Sequence, residues 1–239
     1  MSCCPAILLL YISGPHYMNQ HFQDAIALAR HYHGFDLFIT FTSNPLWEAI
    51  TQELLPGQAA VDCPDLVVRV FHMYKTALLH NITDRHIFGD IHAWVHSIKF
   101  QKRGLPHMHL LSLFPCHIPS TAADIDSLIW ASWPDPKCKP VLFDMVKHCM
   151  VYGLCGRMFL HAPCMRNGKC SKGFPKPFQS VTVMWTEGYL IYARPHDSRA
   201  YDIRTFHANN RWIVHYNPYL LMRYAIPLLA NCFSFDIYL

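Results

Sequence analysis

Apolar and polar positions along this chain change their period several times, and each change marks an element. From Gln20 to Tyr32 the spacing is helical, with Phe22, Ile26 and Ala29 on one side, and Gly34 is the stop signal. Asp36–Thr42, reading DLFITFT, is β-branched and aromatic and predicts a strand ended by Asn44-Pro45. Leu46–Leu55 reads as a short helix closed by Pro56-Gly57. Pro64 opens a long helix whose stripe is Leu66, Val70, Met73, Ala77 and Leu78. Ile87–Phe100 and His107–Phe114 are the next strands; Lys102-Arg103-Gly104 between them predicts a hairpin from Ile91 to Leu113. Helical spacing returns at Asp124–Ala131 and Val141–Val151, on either side of the Pro134–Pro140 loop. Val181–Tyr192 reads as a hairpin around Glu187-Gly188, and Arg211–Tyr216 as a last short strand. The sum is an α+β chain without internal repeats.

Composition narrows the class. Apolar residues make up 52% of 239, ample for a large core, while charged residues are only 15%. The net charge of +4, with 17 histidines uncounted, permits a nucleic-acid partner without requiring one. The opening apolar run, Ala6–Ile12, is too short to span a bilayer and has no basic flank, so neither a membrane anchor nor a secretory leader is expected. Ten cysteines in so long a chain, unevenly spread, fit a reduced protein better than a disulfide scaffold. No Gly-x-x-x-x-Gly-Lys-Ser/Thr loop is present, so no ATP site is expected.

Two groups of residues carry candidate chemistry. His107 and His109 are two apart on a predicted strand, so their imidazoles share a face while Met108 points into the core. Two neutral imidazoles side by side can hold a divalent ion, and such an ion stabilises the charge that grows on a phosphodiester under attack. The plain alternative is two surface histidines on a solvated strand. Cys155, Cys164 and Cys170 lie in a Gly-, Pro- and Lys-rich stretch, Gly153–Phe178, that has little core of its own. Three thiolates with His148 or His161 would make a zinc staple for it; free thiols in a reduced loop are the alternative. Cys3, Cys4, Cys63, Cys116, Cys138, Cys149 and Cys232 show no usable pattern and are expected as buried thiols. Lys99, Lys102 and Arg103 beside the histidine strand suit a phosphate backbone, as do Lys169, Lys172 and Lys176 interleaved with Phe174 and Phe178. The tryptophans Trp94, Trp130, Trp133, Trp185 and Trp212 read as core or interface rather than as base platforms.

Longer segments add a resemblance. FITFTSNPLW at 38–47, IKFQKRGLPHMHLL at 98–111, GKCSKGFPKPF at 168–178 and NNRWIVHYNPYLL at 209–221 resemble, in order, signatures of the Helitron helicase-like N-terminal domain, a Rep-type (HUH) endonuclease domain of transposon proteins. The resemblance runs from about residue 14 to about residue 224. It implies a central antiparallel sheet flanked by helices, with His107 and His109 on a central strand holding Mg2+ or Mn2+. It further implies a single-stranded DNA partner, a nuclear location, and nicking and joining of strands through a tyrosine that is covalently linked to the 5′ phosphate. The implied division is an unmatched segment 1–13, a Rep-like core 14–152, a Cys/Lys-rich loop 153–180, a family segment 181–224 and a divergent tail 225–239.

The sequence also departs from the family pattern. The metal-binding Glu that the family usually carries eight residues before the first histidine is Lys99 here. Lysine is a cation with donors only and repels a divalent ion; Gln101, two residues on, is a weak ligand. The family's paired tyrosines beyond the Asn-Pro-Tyr segment are not found, which leaves Tyr238 as the sole candidate nucleophile after Tyr224. The position three before Cys155, usually His in the family, is Tyr152. The expectation is a fragment of a nicking endonuclease whose chemistry is lost. The alternatives are a non-catalytic single-strand-binding domain and a transposon relic without function.

Overall fold

The strand DLFITFT forms as its residues require, and everything near the histidines is hung on it. A computed structural model describes residues 14–32, 35–100, 104–114, 121–153, 155–156, 159–184, 190–203, 206–224 and 233–237, the last without side chains. Strand β1 (Leu37–Thr42) pairs antiparallel with β3 (Pro106–Leu113), and β3 with β2 (Ala93–Phe100). Strand β10 (Phe233–Ile237) adds to the other side of β1, so the sheet order is β10-β1-β3-β2. Both ends of the β1–β3 pair are clamped. The Asp36 carboxylate accepts the Phe114 N–H at 2.8 Å, and Ser43 N–H donates to the Pro106 carbonyl at 2.9 Å. At the exit of β1, the Asn44 side chain accepts the Leu46 N–H, the turn expected of Asn-Pro.

Period-2 alternation sorts the sheet into two faces. Ile39, Phe41, Met108 and Leu110 are wholly buried on one of them. Helix α3 (Pro64–Thr83) packs there, with the Phe71 ring stacked on Phe41 at 5.3 Å. Its buried face is Val67, Val70, Phe71, Leu78, Asn81 and Ile82. This corrects the expected stripe: Met73 is 66% exposed and Ala77 is also outside, because the sheet and Trp47 meet the helix one residue around from Leu66 and Met73. The opposite face of the sheet carries Phe38, Thr40, Thr42, His107 and His109.

Helix α1 (Pro15–His31) starts earlier than its periodicity suggested, at a proline suited to a first helical turn. None of its residues is buried, and Phe22 of the expected stripe is 59% exposed. Helix α2 is the short Glu48–Thr51 rather than Leu46–Leu55. Helices α4 (Ala122–Leu128) and α5 (Pro140–Cys149) fall where expected, α4 opening on a Thr121–Asp124 capping box. The cysteine loop contains one tiny hairpin, β4 (Met165–Arg166) with β5 (Lys169–Cys170), and the region after it another, β6 (Val183–Met184) with β7 (Leu190–Ile191).

Past residue 190 the expectation needs correction. Arg211–Tyr216 is not a strand. A 3-10 turn occupies Asn210–Trp212, and the chain then makes only isolated bridges, Ile213 with Val151 and Tyr216 with Trp130. Not foreseen at all were the hairpin of β8 (Ala200–Ile203) with β9 (Phe206–Asn209) and helix α6 (Pro218–Tyr224). Of these elements, the hairpin packs on Trp133, whose ring meets Tyr201 at 5.0 Å and whose indole N–H donates to the Ala208 carbonyl at 3.0 Å. They join the sheet region through α6: Trp47 Nε1 donates to the Tyr224 carbonyl, and the Asn81 amide donates to the Tyr224 hydroxyl. Among the described residues no helix is long and apolar enough to cross a membrane.

A buried cation holds this second region together. Arg194 is 3% exposed, and its Nη1 faces the carbonyls of Ala131, Asn210 and Ile213 at 3.3, 2.8 and 2.6 Å. Desolvation lowers its pKa to about 10, so it stays charged at neutral pH, held by carbonyl dipoles. Arg194→Met removes the donor and leaves three buried acceptors short of a partner. It is expected to cost about 3 kcal/mol, read as a lower urea midpoint at unchanged slope.

Candidate functional site

The histidine face is built by register. Across β3, His107 sits opposite Thr42 on β1 and Lys99 on β2; His109 sits opposite Thr40 and Ser97. Met108 between the histidines is fully buried, as alternation required. The Thr42 hydroxyl lies 2.6 Å from His107 Nδ1, and the Thr40 hydroxyl 3.3 Å from His109 Nδ1. With each Nδ1 engaged, the two Nε2 atoms converge to 3.0 Å. Phe38 stacks on the His109 ring at 5.2 Å and 13°. Neither threonine stood out in the sequence. Their signal was present, since Thr40 and Thr42 have the same two-residue spacing as the histidines, but only the strand register shows that the pairs face each other.

A hydroxyl both donates and accepts, so the threonines tolerate either tautomer. One proton shared between the Nε2 atoms satisfies the pair as it stands. If both Nδ1–H groups donate to the threonines instead, two lone pairs aim at one point. Two nitrogens bound to one ion at roughly 2.1 Å and a right angle stand about 3 Å apart, so the imidazoles fit a divalent ion. The remainder of the set does not. Lys99, on the exposed end of β2, faces His107 and contributes positive charge where a third oxygen ligand would be needed. Lys102, Arg103, Gln101 and Tyr238 lie outside the described residues.

Both imidazoles are held below the usual histidine pKa. For His107 the causes are burial, then the neighbouring His109, then Lys99; for His109 they are burial, then Lys99. Both rings are therefore neutral at pH 7. The sign for stability follows. The unfolded chain takes up these protons first as pH falls, so the contribution is present above the ordinary histidine pKa and is lost below it.

The second group is the cysteine cluster. The Sγ atoms of Cys155, Cys164 and Cys170 lie within 4.8 Å of one another. Neither His148 nor His161 joins them; both are exposed, His148 at the end of α5 and His161 on the loop. The side chain that does is Tyr152, whose hydroxyl is 3.9 Å from Cys170 Sγ. Burial pushes the Cys170 thiol up, but the Phe174 and Lys172 N–H groups, with Cys155 and Tyr152, together outweigh it and bring it down to about 7. Burial and the other two thiols push Cys155 up to about 12. Among the other described cysteines, Cys149 is buried as expected, whereas Cys138 is exposed and Cys63 half-buried, since both lie outside the helix faces turned to the core.

The basic residues are dispersed. Lys169 and Lys172 are exposed, Lys176 lies 5.3 Å from the Phe174 ring, and Arg211 lies 5.5 Å from the Phe178 ring. Of the tryptophans, Trp133 and Trp212 are buried and Trp130 is half-buried; Trp94 is 39% exposed, and Trp185 is outside the described residues. Trp47, which the sequence analysis did not single out, is wholly buried.

In metal-free protein, NMR titration of the imidazole nitrogens is expected to place both histidines below pH 6.5. Lys99→Glu should move both upward. No shift in that variant would mean that Lys99 does not act on the pair.

A search of curated proteins finds no match. Residues 7–112 match the family described as the Helitron helicase-like domain at the N-terminus. The matched span contains FITFTSNPLW and the His107–His109 strand; the segments at 168–178 and 209–221 lie beyond it. On that match, residues 7–112 are similar to the Helitron helicase-like N-terminal domain, and His107 and His109 lie within the matched span.

Proposed function

We propose that this domain derives from a Rep-type nicking and joining endonuclease and now binds single-stranded DNA without cutting it. The observation that carries the reading is the placement of Lys99 opposite His107, on the sheet face where the two Nε2 atoms converge. The histidines are arranged as metal ligands, with their far nitrogens held by threonine hydroxyls. A lysine in the third position replaces the cation's work with its own: it attracts a phosphate and disfavours the ion that would activate it. The face therefore retains an affinity for the DNA backbone while, among the described residues, no carboxylate joins the histidines to complete a site for Mg2+ or Mn2+. Exposed Lys169 and Lys172 add backbone charge on the cysteine loop. A nuclear location fits a DNA partner.

A denaturing gel of protein incubated with labelled single-stranded oligonucleotides and Mn2+ tests this. No covalent adduct and no cleavage are expected from the wild type. An adduct that disappears in His107→Ala would overturn the proposal and make the chain an active nuclease. Fluorescence anisotropy on the same oligonucleotides should show binding that weakens with salt. Lys169→Ala with Lys172→Ala should reduce the log–log salt slope by about 1.4 if both contact phosphates, at roughly 0.7 each for single strands. A wild type that binds no oligonucleotide at low salt would remove the DNA-binding reading.

A further inference from the structure

The cysteine loop has too little apolar material to fold unaided, yet it is ordered around one point. Asn167 and Gly168 both have positive φ, 49° and 75°, which is the turn that joins two-residue hairpins. That turn sets Cys164 and Cys170 at the two ends of the β4–β5 hairpin, where Ser171 N–H donates to the Cys164 carbonyl at 2.8 Å. Cys155 reaches the same point from the preceding bend and is 2% exposed. The fourth side is closed by Tyr152, whose ring lies flat on Phe174, 4.0 Å away at 2°, so that its hydroxyl is fixed against the sulfurs.

We propose that Cys155, Cys164 and Cys170 bind one Zn2+ as thiolates, with the Tyr152 hydroxyl as the fourth, weaker donor. Three sulfurs around zinc at 2.3 Å stand roughly 3.8 Å apart, so a triad within 4.8 Å closes on the ion with small side-chain rotations. Binding displaces three thiol protons to solvent and leaves the site with a net charge of −1, or −2 if the phenol also ionises. Exposed Lys169 and Lys172 next to it offset that charge. The ion is structural. It fixes a loop that is otherwise tied down by main-chain bonds such as Lys176 N–H to the Arg211 carbonyl at 3.0 Å. The site is independent of the histidine pair, and its test is separate from that of DNA binding.

The experiment is metal analysis of the full chain, purified under reducing conditions and equilibrated with micromolar zinc. One zinc per chain is expected, together with a chelator-induced fall of several degrees in Tm. Cys164→Ser and Cys170→Ser should each abolish stoichiometric zinc. In case those variants fold poorly, Tyr152 provides an internal control. Tyr152→His supplies an imidazole at the same corner and should tighten zinc binding at least tenfold in competition with a chromogenic chelator, whereas Tyr152→Phe should weaken it several-fold. Cobalt substitution should give thiolate charge-transfer bands whose intensity fits three sulfurs. A chain without zinc after equilibration, or a mass lower by two hydrogens that reports a disulfide within the triad, would overturn the proposal. Equal zinc affinity of Tyr152→His, Tyr152→Phe and wild type would overturn the role of Tyr152.

Discussion

The alternation of side chains along β3 is the constraint on which the sheet depends. Met108, Leu110 and Ser112 must enter the interior for α3 to have a surface to pack on, and that requirement fixes His107 and His109 on the other face. A one-residue slip would bury two imidazoles and expose the core. The clamps at Asp36–Phe114 and Ser43–Pro106 hold the register from both ends. The burial of Phe41 against Phe71 and the convergence of two Nε2 atoms are thus consequences of one pairing.

The same pairing brings in groups that chemistry needs but that a linear reading does not connect. Thr40 and Thr42 come from a strand some 65 residues earlier and sit behind the histidines as tautomer-tolerant partners. Lys99 comes from the strand on the other side and lowers the proton affinity of both rings. The arrangement keeps two neutral imidazoles beside the Lys99 cation, and the proposed phosphate-binding role rests on that combination.

Beyond the sheet, organisation rests on polar groups buried with their partners. Arg194 collects carbonyls from three segments, Trp133 ties its indole to β9, and Asn217 Nδ2 donates to the Leu128 carbonyl at 2.8 Å. These bonds substitute for strand pairing where, among the described residues, the β-structure is three hairpins with strands of two to four residues and scattered bridges. The cysteine loop follows the same logic, with three clustered thiols in place of amides.

By itself the sequence determined the elements whose signal is local. The β1 strand, the β2–β3 hairpin, the proline-started α3 and the sidedness of His107, Met108 and His109 all follow from period and turn chemistry. Lys99 opposite His107 followed as well, because a hairpin fixes its own register. What depends on distant chain was not legible. The buried face of α3 shifted because the sheet and Trp47, not the helix, decide which stripe is covered. Arg211–Tyr216 has strand composition but no continuous partner, so it became a turn and two bridges. Helix α6, seven residues long, has too few turns for a periodic signal and is held by Trp47 and Asn81 from far along the chain. The Tyr152 hydroxyl stands beside the cysteine cluster because stacking on Phe174 positions it there, which sequence spacing alone cannot aim. Tertiary structure decided these points because side-chain direction across long separations is set by what packs on each face, and local period carries no record of the partner.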